Sequence, residues 1–97
     1  MIKSINSSTS FIRQFKRITK NNIRLRNEII ETIELLKIDP FSSILKSHKV
    51  NATIGGTRWS SRVTGDVRII WDFNNDDIHI IELLDVGGHS GSNKVYK

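Results

Sequence analysis

Two of the three histidines lie where side chains could carry out acid–base chemistry. His48 and His89 each stand at the predicted end of an element beside loop residues, where functional groups collect. A pair of imidazoles with cationic residues between them suits general base and general acid catalysis on a phosphodiester. In that reaction an RNA 2′-hydroxyl attacks the adjacent phosphorus, and arginines neutralise charge on the phosphorane. The alternative is that both are simply exposed loop residues, and we interpret His79, between two isoleucines, as structural.

The cations that would accompany these histidines lie on a predicted antiparallel meander, Thr57–His89, in which three apolar runs are separated by turn residues. A three-residue loop, Thr64-Gly65-Asp66, keeps apolar residues opposite one another and puts Gly65 where a left-handed residue is wanted. A two-residue Thr64-Gly65 loop would mix apolar and charged residues on one face. The three-residue loop predicts the cross-strand pairs Val63 with Val67, Ser61 with Ile69, and Trp59 with Trp71.

The same register places two arginines opposite each other. Arg62 faces Arg68 across the ladder, and Arg58 lies near Asp72. Like charges that face each other across two strands repel, and an anion bound on that face would relieve the repulsion. The alternatives are a solvated face with splayed guanidinium groups and, for Arg58, an ordinary cross-strand ion pair.

Other kinds of site have little support in the sequence. The histidines lack metal-ligand spacing, and Asp72, Asp76 and Asp77 surround a predicted turn, where acidic residues are common. Gly55-Gly56 and Gly87-Gly88 lack the features of a phosphate-binding loop, and no serine stands on a strand-to-helix elbow. The chain has no cysteine, which excludes disulfides and thiolate ligands. We therefore expect no metal and no cofactor.

Length and charge limit the class of protein. A chain of 97 residues predicts one domain, 1–97, and a net charge of +5 with a pI near 9.9 favours an acidic partner such as nucleic acid. No stretch resembles a signal peptide or a membrane span, so we expect a cytoplasmic protein without a membrane partner. The basic residues ahead of Glu28 extend the positive field, although singly each is typical of a solvated helix face.

The N-terminal half predicts a strand and two helices. Residues 1–5 suit an edge strand, and Thr9 or Ser10 is the expected N-cap of a first helix. A second helix must end before Pro40. The apolar stripes are Phe11, Phe15 and Ile18 in the first helix, and Ile23, Ile29, Ile30, Ile33 and Leu36 in the second.

The element order then predicts the architecture. Pro40–Gly56 is predicted to be loop, so the element order is a strand, two helices and then three or four strands. The sequence therefore indicates an α+β fold in which two N-terminal helices pack on one face of a twisted antiparallel sheet. The other face would carry Arg58, Arg62 and Arg68.

The ordered set of these segments resembles a known family. The segments are Phe11…Phe15-Lys16, Leu45-Lys46-Ser47-His48-Lys49-Val50, Gly56-Thr57-Arg58, Gly65-Asp66-Val67-Arg68-Ile69-Ile70-Trp71, Val86-Gly87-Gly88-His89 and Val95-Tyr96. Over nearly its whole length the chain is similar to the RelE/ParE superfamily of toxins from bacterial type II toxin–antitoxin modules, and most similar to the YafQ-like mRNA interferases. The resemblance implies a RelE-like fold and metal-independent cleavage of mRNA, usually on the translating ribosome.

The resemblance also implies roles for single residues. His48 matches the histidine of the YafQ-like LxxHxL segment, His89 the acid–base histidine after the last strand, and Arg68 the arginine placed against the scissile phosphate. Asp66 matches an acidic position that orients a histidine or reads a base, and its alternative is a turn aspartate. Tyr96 resembles the C-terminal aromatic that stacks on or acts near the target base. The expected RNA phosphate ligands are Arg58, Arg62, Lys46, Lys49 and Lys94.

The chain departs from the YafQ-like pattern in places. Arg62 stands where a further histidine is common, Val67 where an aromatic residue follows the acidic one, and Val50 where the LxxHxL segment ends in leucine. Tyr96 lies farther from His89 than usual. These departures bear on which group moves a proton more than on the fold.

Three functions are compatible with these features. The first is a ribosome-dependent endoribonuclease toxin acting on mRNA in the 30S A site, with a cognate antitoxin as partner and operator DNA bound only through that antitoxin. The second is a ParE-like gyrase inhibitor, which would not need His48, His89 and Tyr96 together. The third is a basic RNA-binding module without catalysis, a class that exposes aromatic residues, whereas Trp59 and Trp71 here share the apolar face. The expected antitoxin segment is acidic or amphipathic, and it would lie across the basic groove or displace the C-terminal tail.

Overall fold

A computed structural model describes residues 2–88 and 94–97 of the chain. Its elements, in chain order, are β1 (Ser4–Ser7), α1 (Thr9–Thr19), α2 (Ile23–Ile38), β2 (His48–Asn51), β3 (Thr57–Arg62), β4 (Val67–Phe73) and β5 (Ile80–Gly88). The five strands form one sheet in the order β1-β5-β4-β3-β2. Neither helix of this described part combines the length and apolar character that crossing a membrane requires.

The predicted α+β architecture is confirmed, with two differences in the sheet. Residues of both helices pack with one face of the sheet in the main core, as expected. The sheet is mixed and not wholly antiparallel, because β1 runs parallel to β5 while every other neighbouring pair is antiparallel. In addition, β2 lies within the segment 40–56 that was predicted to be loop. The direction of β1 depends on a strand distant in sequence, whereas β2 pairs with the next strand but is too short and polar to stand out.

The first helix begins one residue earlier than expected. Ser8, and not Thr9 or Ser10, is its N-cap: the Ser8 hydroxyl oxygen accepts a hydrogen bond of 3.0 Å from the Phe11 amide. The same hydroxyl donates to the Leu84 carbonyl at 3.1 Å, so the cap also joins the helix to β5. The predicted stripe is confirmed, with Phe11 buried and the other two members packed against the core.

The second helix ends at Ile38, before Pro40, as predicted. Its buried face differs from the predicted stripe, because Ile23 is 72% exposed and Ile30 is 37% exposed. Thr32 is buried in their place. Its hydroxyl donates to the Glu28 carbonyl at 2.8 Å, which satisfies a polar side chain that hydrophobic periodicity would have put outside.

A chain of hydroxyl groups ties the segment before β2 to the sheet. The Trp71 indole N–H donates to the Ser61 hydroxyl at 2.7 Å, and the Ser61 and Ser47 hydroxyls are 2.6 Å apart. The Ser47 hydroxyl donates its proton to the Pro40 carbonyl at 2.6 Å, so Ser61 must be the donor to Ser47. Each polar group is thereby satisfied on the helix-covered side of the sheet.

The irregularity in the β4–β5 ladder buries a carboxyl group. Ile70 pairs with Asp85 and Trp71 with Leu83, which leaves Leu84 in a bulge. Asp85 is 4% exposed and accepts a hydrogen bond of 2.9 Å from the Val86 amide. Burial raises the pKa of Asp85, and that amide together with the charge of Arg13 offsets part of the rise.

The raised pKa of Asp85 predicts a pH-dependent cost to stability. The folded protein holds the Asp85 proton more tightly than the unfolded chain, so the carboxyl favours folding below its ordinary pKa and loses that contribution as pH rises through the folded pKa. Asp85→Asn keeps an oxygen for the Val86 amide and carries no charge. We expect this variant to be more stable than wild type in urea at about pH 7, with the difference vanishing near about pH 3. Exposed Asp76→Asn is the control, and an equal gain at both pH values would contradict the explanation.

Candidate functional site

The β3–β4 hairpin has the predicted register. The pairs Trp59 with Trp71, Ser61 with Ile69 and Arg62 with Arg68 are all present, and the Val63 amide donates to the Val67 carbonyl at 2.9 Å. The role predicted for Gly65 is wrong, because its φ is not in the left-handed region. Thr64 holds the turn, since its hydroxyl oxygen accepts from the amides of Asp66 at 3.2 Å and Val67 at 2.9 Å.

The two facing arginines converge and do not splay apart. The Arg62 Nε lies 3.3 Å from the Thr64 carbonyl oxygen, and an Arg68 Nη lies 2.5 Å from the same oxygen. Arg68 also donates to the Gly65 carbonyl at 3.2 Å. One carbonyl therefore sits between two guanidinium groups and partly offsets their repulsion. An arrangement that concentrates two positive charges in this way suits a phosphate group.

The face of the sheet opposite the helices, called here the open face, also carries His48. His48 on β2 is the direct partner of Ser60 on β3, and directly paired residues point to the same side. Arg62 follows Ser60 by two residues, which puts it on that side as well. His48 is exposed, and its Nδ1 lies 2.9 Å from the Lys46 carbonyl oxygen.

The C-terminal residues lie across the open face. The Val95 amide donates to the Gly88 carbonyl at 3.0 Å, and the Lys97 amide donates to the Asn51 carbonyl at 2.8 Å, so this tail links β5 with β2. Val95 is buried in a second, smaller core with Ala52 and Ile70. The tail is thus anchored to the sheet by both backbone pairing and apolar burial.

The tail places the Tyr96 hydroxyl against the cross-strand partner of His48. The Tyr96 hydroxyl lies 2.7 Å from the hydroxyl of Ser60, which is fully buried and is the cross-strand partner of His48. Sequence reasoning missed Ser60. The available signal was a small polar residue between Arg58 and Arg62 on the cationic face, a position where a hydroxyl can anchor a longer side chain.

Three other predicted site residues have different surroundings. Arg58 donates to Asp72 at 3.2 Å and to the Gly55 carbonyl at 3.3 Å, which is the ordinary cross-strand ion pair that was its alternative. Lys49 lies over the Trp59 ring at 4.9 Å, on the helix side of the sheet and away from the open face. Lys94 is exposed in the tail and forms a bridge with Gly88.

Two further predicted site residues are Asp66 and His89. Asp66 is exposed within the β3–β4 turn, and His89 lies outside the described residues.

His79 is at the other end of β4, where its Nδ1 lies 3.0 Å from Asp77. A hydrogen bond from Lys3, followed by the His79 amide, lowers the pKa of Asp77 to about 2. Across residues 2–88 and 94–97 no group of three or more histidine, aspartate or glutamate side chains is arranged to hold a metal ion.

Solved structures show what this arrangement is similar to. No protein-family model and no curated protein sequence matches the chain. A YoeB/ParE toxin from Agrobacterium tumefaciens superposes with a TM-score of 0.71 at 18% identity, covering 90% of this chain and 99% of that one. A chain of the E. coli DinJ–YafQ toxin–antitoxin complex gives 0.69 at 18% identity, covering 92% and 94%.

A third structure agrees with these two. A chain of the heterotetrameric YoeB–YefM toxin–antitoxin complex from Staphylococcus aureus gives a TM-score of 0.64 at 16% identity, covering 88% of this chain and 93% of that one. The matches span most of this chain and nearly the full length of each solved chain. The chain therefore has the same fold as these YoeB, ParE and YafQ toxin structures, which is the fold that the sequence resemblance implied.

Proposed function

We propose that the protein is the toxin of a type II toxin–antitoxin module and acts as an endoribonuclease on mRNA. One observation carries the proposal: a single face of the sheet brings together an imidazole, a phenol and two converging guanidinium groups. These groups are His48, Tyr96, Arg62 and Arg68. A gyrase inhibitor would need no such set of groups for proton transfer beside a phosphate site.

The proposed reaction uses the RNA's own 2′-hydroxyl as nucleophile. His48 accepts the 2′ proton while the 2′ oxygen bonds to phosphorus and the bond from phosphorus to the 5′ oxygen breaks. A second group protonates the departing 5′ oxygen, and the products are a 2′,3′-cyclic phosphate and a 5′-hydroxyl. Arg62 and Arg68 neutralise the charge that builds on the phosphorane. Tyr96 stacks on or contacts a neighbouring base, and the reaction requires no metal ion.

The proposed partners follow from charge and from the similar structures. YoeB and YafQ are each found in complexes named toxin–antitoxin complexes, with YefM and DinJ respectively. We propose that this chain likewise binds a cognate antitoxin, and its net charge of +5 favours an acidic segment. The substrate would be mRNA in the 30S A site of cytoplasmic ribosomes, with operator DNA reached only through the antitoxin.

Mapping of mRNA ends tests the proposal with a matched histidine control. The wild type, His48→Ala and His79→Ala are each expressed under tight induction, and mRNA 5′ ends are mapped by primer extension. We expect new ends with the wild type and with His79→Ala, and their suppression by about 10²-fold or more with His48→Ala, because a proton-transfer group is lost. Growth arrest with intact mRNA would contradict the nuclease, and gyrase–DNA breaks would then support the inhibitor.

A further inference from the structure

Lys46, two residues before β2 begins, has an unusual backbone conformation. Lys46 has a φ of 49°, in the left-handed region that non-glycine residues seldom adopt. The other such non-glycine residue in the described chain is Asn21, a type that tolerates this conformation well. Strained backbone persists where the surrounding structure enforces it, and it is frequent at functional sites.

The neighbours of Lys46 explain why it adopts this conformation. Leu45 is buried in the core, and its carbonyl accepts a hydrogen bond of 2.7 Å from the Arg62 amide. Ser47 is held by Pro40 and Ser61 through its hydroxyl, at 2.6 Å from each partner. Both flanking residues are thus fixed, and the chain must turn at the residue between them.

The turn sets the position of one carbonyl group against an imidazole ring. The Lys46 carbonyl oxygen lies 2.9 Å from the Nδ1 of His48. A carbonyl oxygen can only accept, so Nδ1 must carry the proton in this hydrogen bond. In the neutral ring the lone pair then lies on Nε2. Imidazole side chains in water prefer the opposite tautomer, so the protein must select this one.

We propose that Lys46 is a positioning residue whose left-handed backbone fixes His48 in the tautomer with its lone pair on Nε2, and that Nε2 is the general base. The assignment of a base rests on the proposed function. The Nε2 atom takes the proton of the 2′-hydroxyl as the bond from the 2′ oxygen to phosphorus forms. The bond from phosphorus to the 5′ oxygen breaks, and the 5′ oxygen takes a proton from a different group.

Nitrogen NMR of the free protein tests the tautomer without any RNA. The variants are Lys46→Gly and Lys46→Val, which both remove the ammonium group. Glycine adopts a left-handed φ at no steric cost, whereas a β-branched residue strongly resists it. We expect the Nδ1–H tautomer of neutral His48 to predominate in wild type and in Lys46→Gly and to lose its majority in Lys46→Val. Lys46→Thr, which is also β-branched, replaces the valine variant if that protein does not fold.

Two NMR results would contradict the proposal. A majority of the Nε2–H tautomer in wild type would overturn the assignment, and retention of the Nδ1–H tautomer in Lys46→Val or Lys46→Thr would overturn the role of the left-handed backbone. Cleavage of mRNA is measured separately, and we expect Lys46→Val to be slower than Lys46→Gly by about 10-fold or more. Failure of the wild type to cleave would overturn the base role together with the proposed function, while the NMR result tests the backbone role by itself.

Discussion

Replacing Arg68 with alanine should slow RNA cleavage by about 10²–10³-fold, the usual loss when one preorganised donor to a transition-state oxyanion is removed. Arg68 is half-buried on β4, directly opposite Arg62, and its guanidinium donates to the carbonyls of Thr64 and Gly65. In the proposed complex a phosphate oxygen would replace these weaker acceptors. The measurement is single-turnover cleavage of a defined mRNA on programmed ribosomes.

The controls separate the loss of a phosphate ligand from the loss of a turn contact. Arg17→Ala removes the same charge from an exposed position on α1, and we expect a change in rate of less than about threefold, because long-range charge effects are screened by salt. Arg68→Lys keeps the charge but not the paired donors, and should cleave at an intermediate rate. Full activity of Arg68→Ala with a lowered melting temperature would show that Arg68 only secures the β3–β4 turn.

Features that depend on neighbouring residues could be predicted from the sequence. The register of β3 and β4 follows from a short loop and alternating side chains, so the residue pattern alone predicts that Arg62 and Arg68 face each other. The end of α2 before Pro40 follows from a local steric rule. The convergence of the two guanidinium groups on the Thr64 carbonyl does not follow from the pattern, because rotamers depend on where acceptors lie in space.

Features that depend on distant pairing could not be predicted in this way. β2 is too short and polar to stand out, so Lys49 could not be assigned to a face, and it lies on the helix side over Trp59. The contact between Ser60 and Tyr96 joins residues 36 apart in sequence and requires the tail to cross the sheet. The direction of β1 is set by its pairing with β5, the last strand in the sequence. For the tail and for β1 the deciding partner lies outside any local window, whereas β2 pairs with the next strand along the chain.

Replacing Ser61 with alanine should destabilise the fold, although it removes a single oxygen atom. Ser61 is fully buried, and its hydroxyl accepts the only hydrogen bond found for the Trp71 indole N–H in the described chain, at 2.7 Å. Alanine would leave that buried N–H without an acceptor, which costs about 1–3 kcal/mol. The melting temperature of a domain of this size should fall by about 4–8 °C for each kcal/mol.

A double-mutant cycle distinguishes this cause from simple loss of packing. Trp71→Phe removes the indole N–H, so adding Ser61→Ala to that variant should cost less than the same change in wild type, with a coupling energy of about 0.5–3 kcal/mol. Exposed Ser43→Ala is the control and should change stability by less than about 0.5 kcal/mol. Because Ser61 also donates to Ser47, the residue that adjoins Lys46 on its C-terminal side, its loss should loosen the turn that orients His48. A fully additive cycle would mean that the hydrogen bond from Trp71 to Ser61 does not contribute to stability and that the loss in Ser61→Ala has another cause.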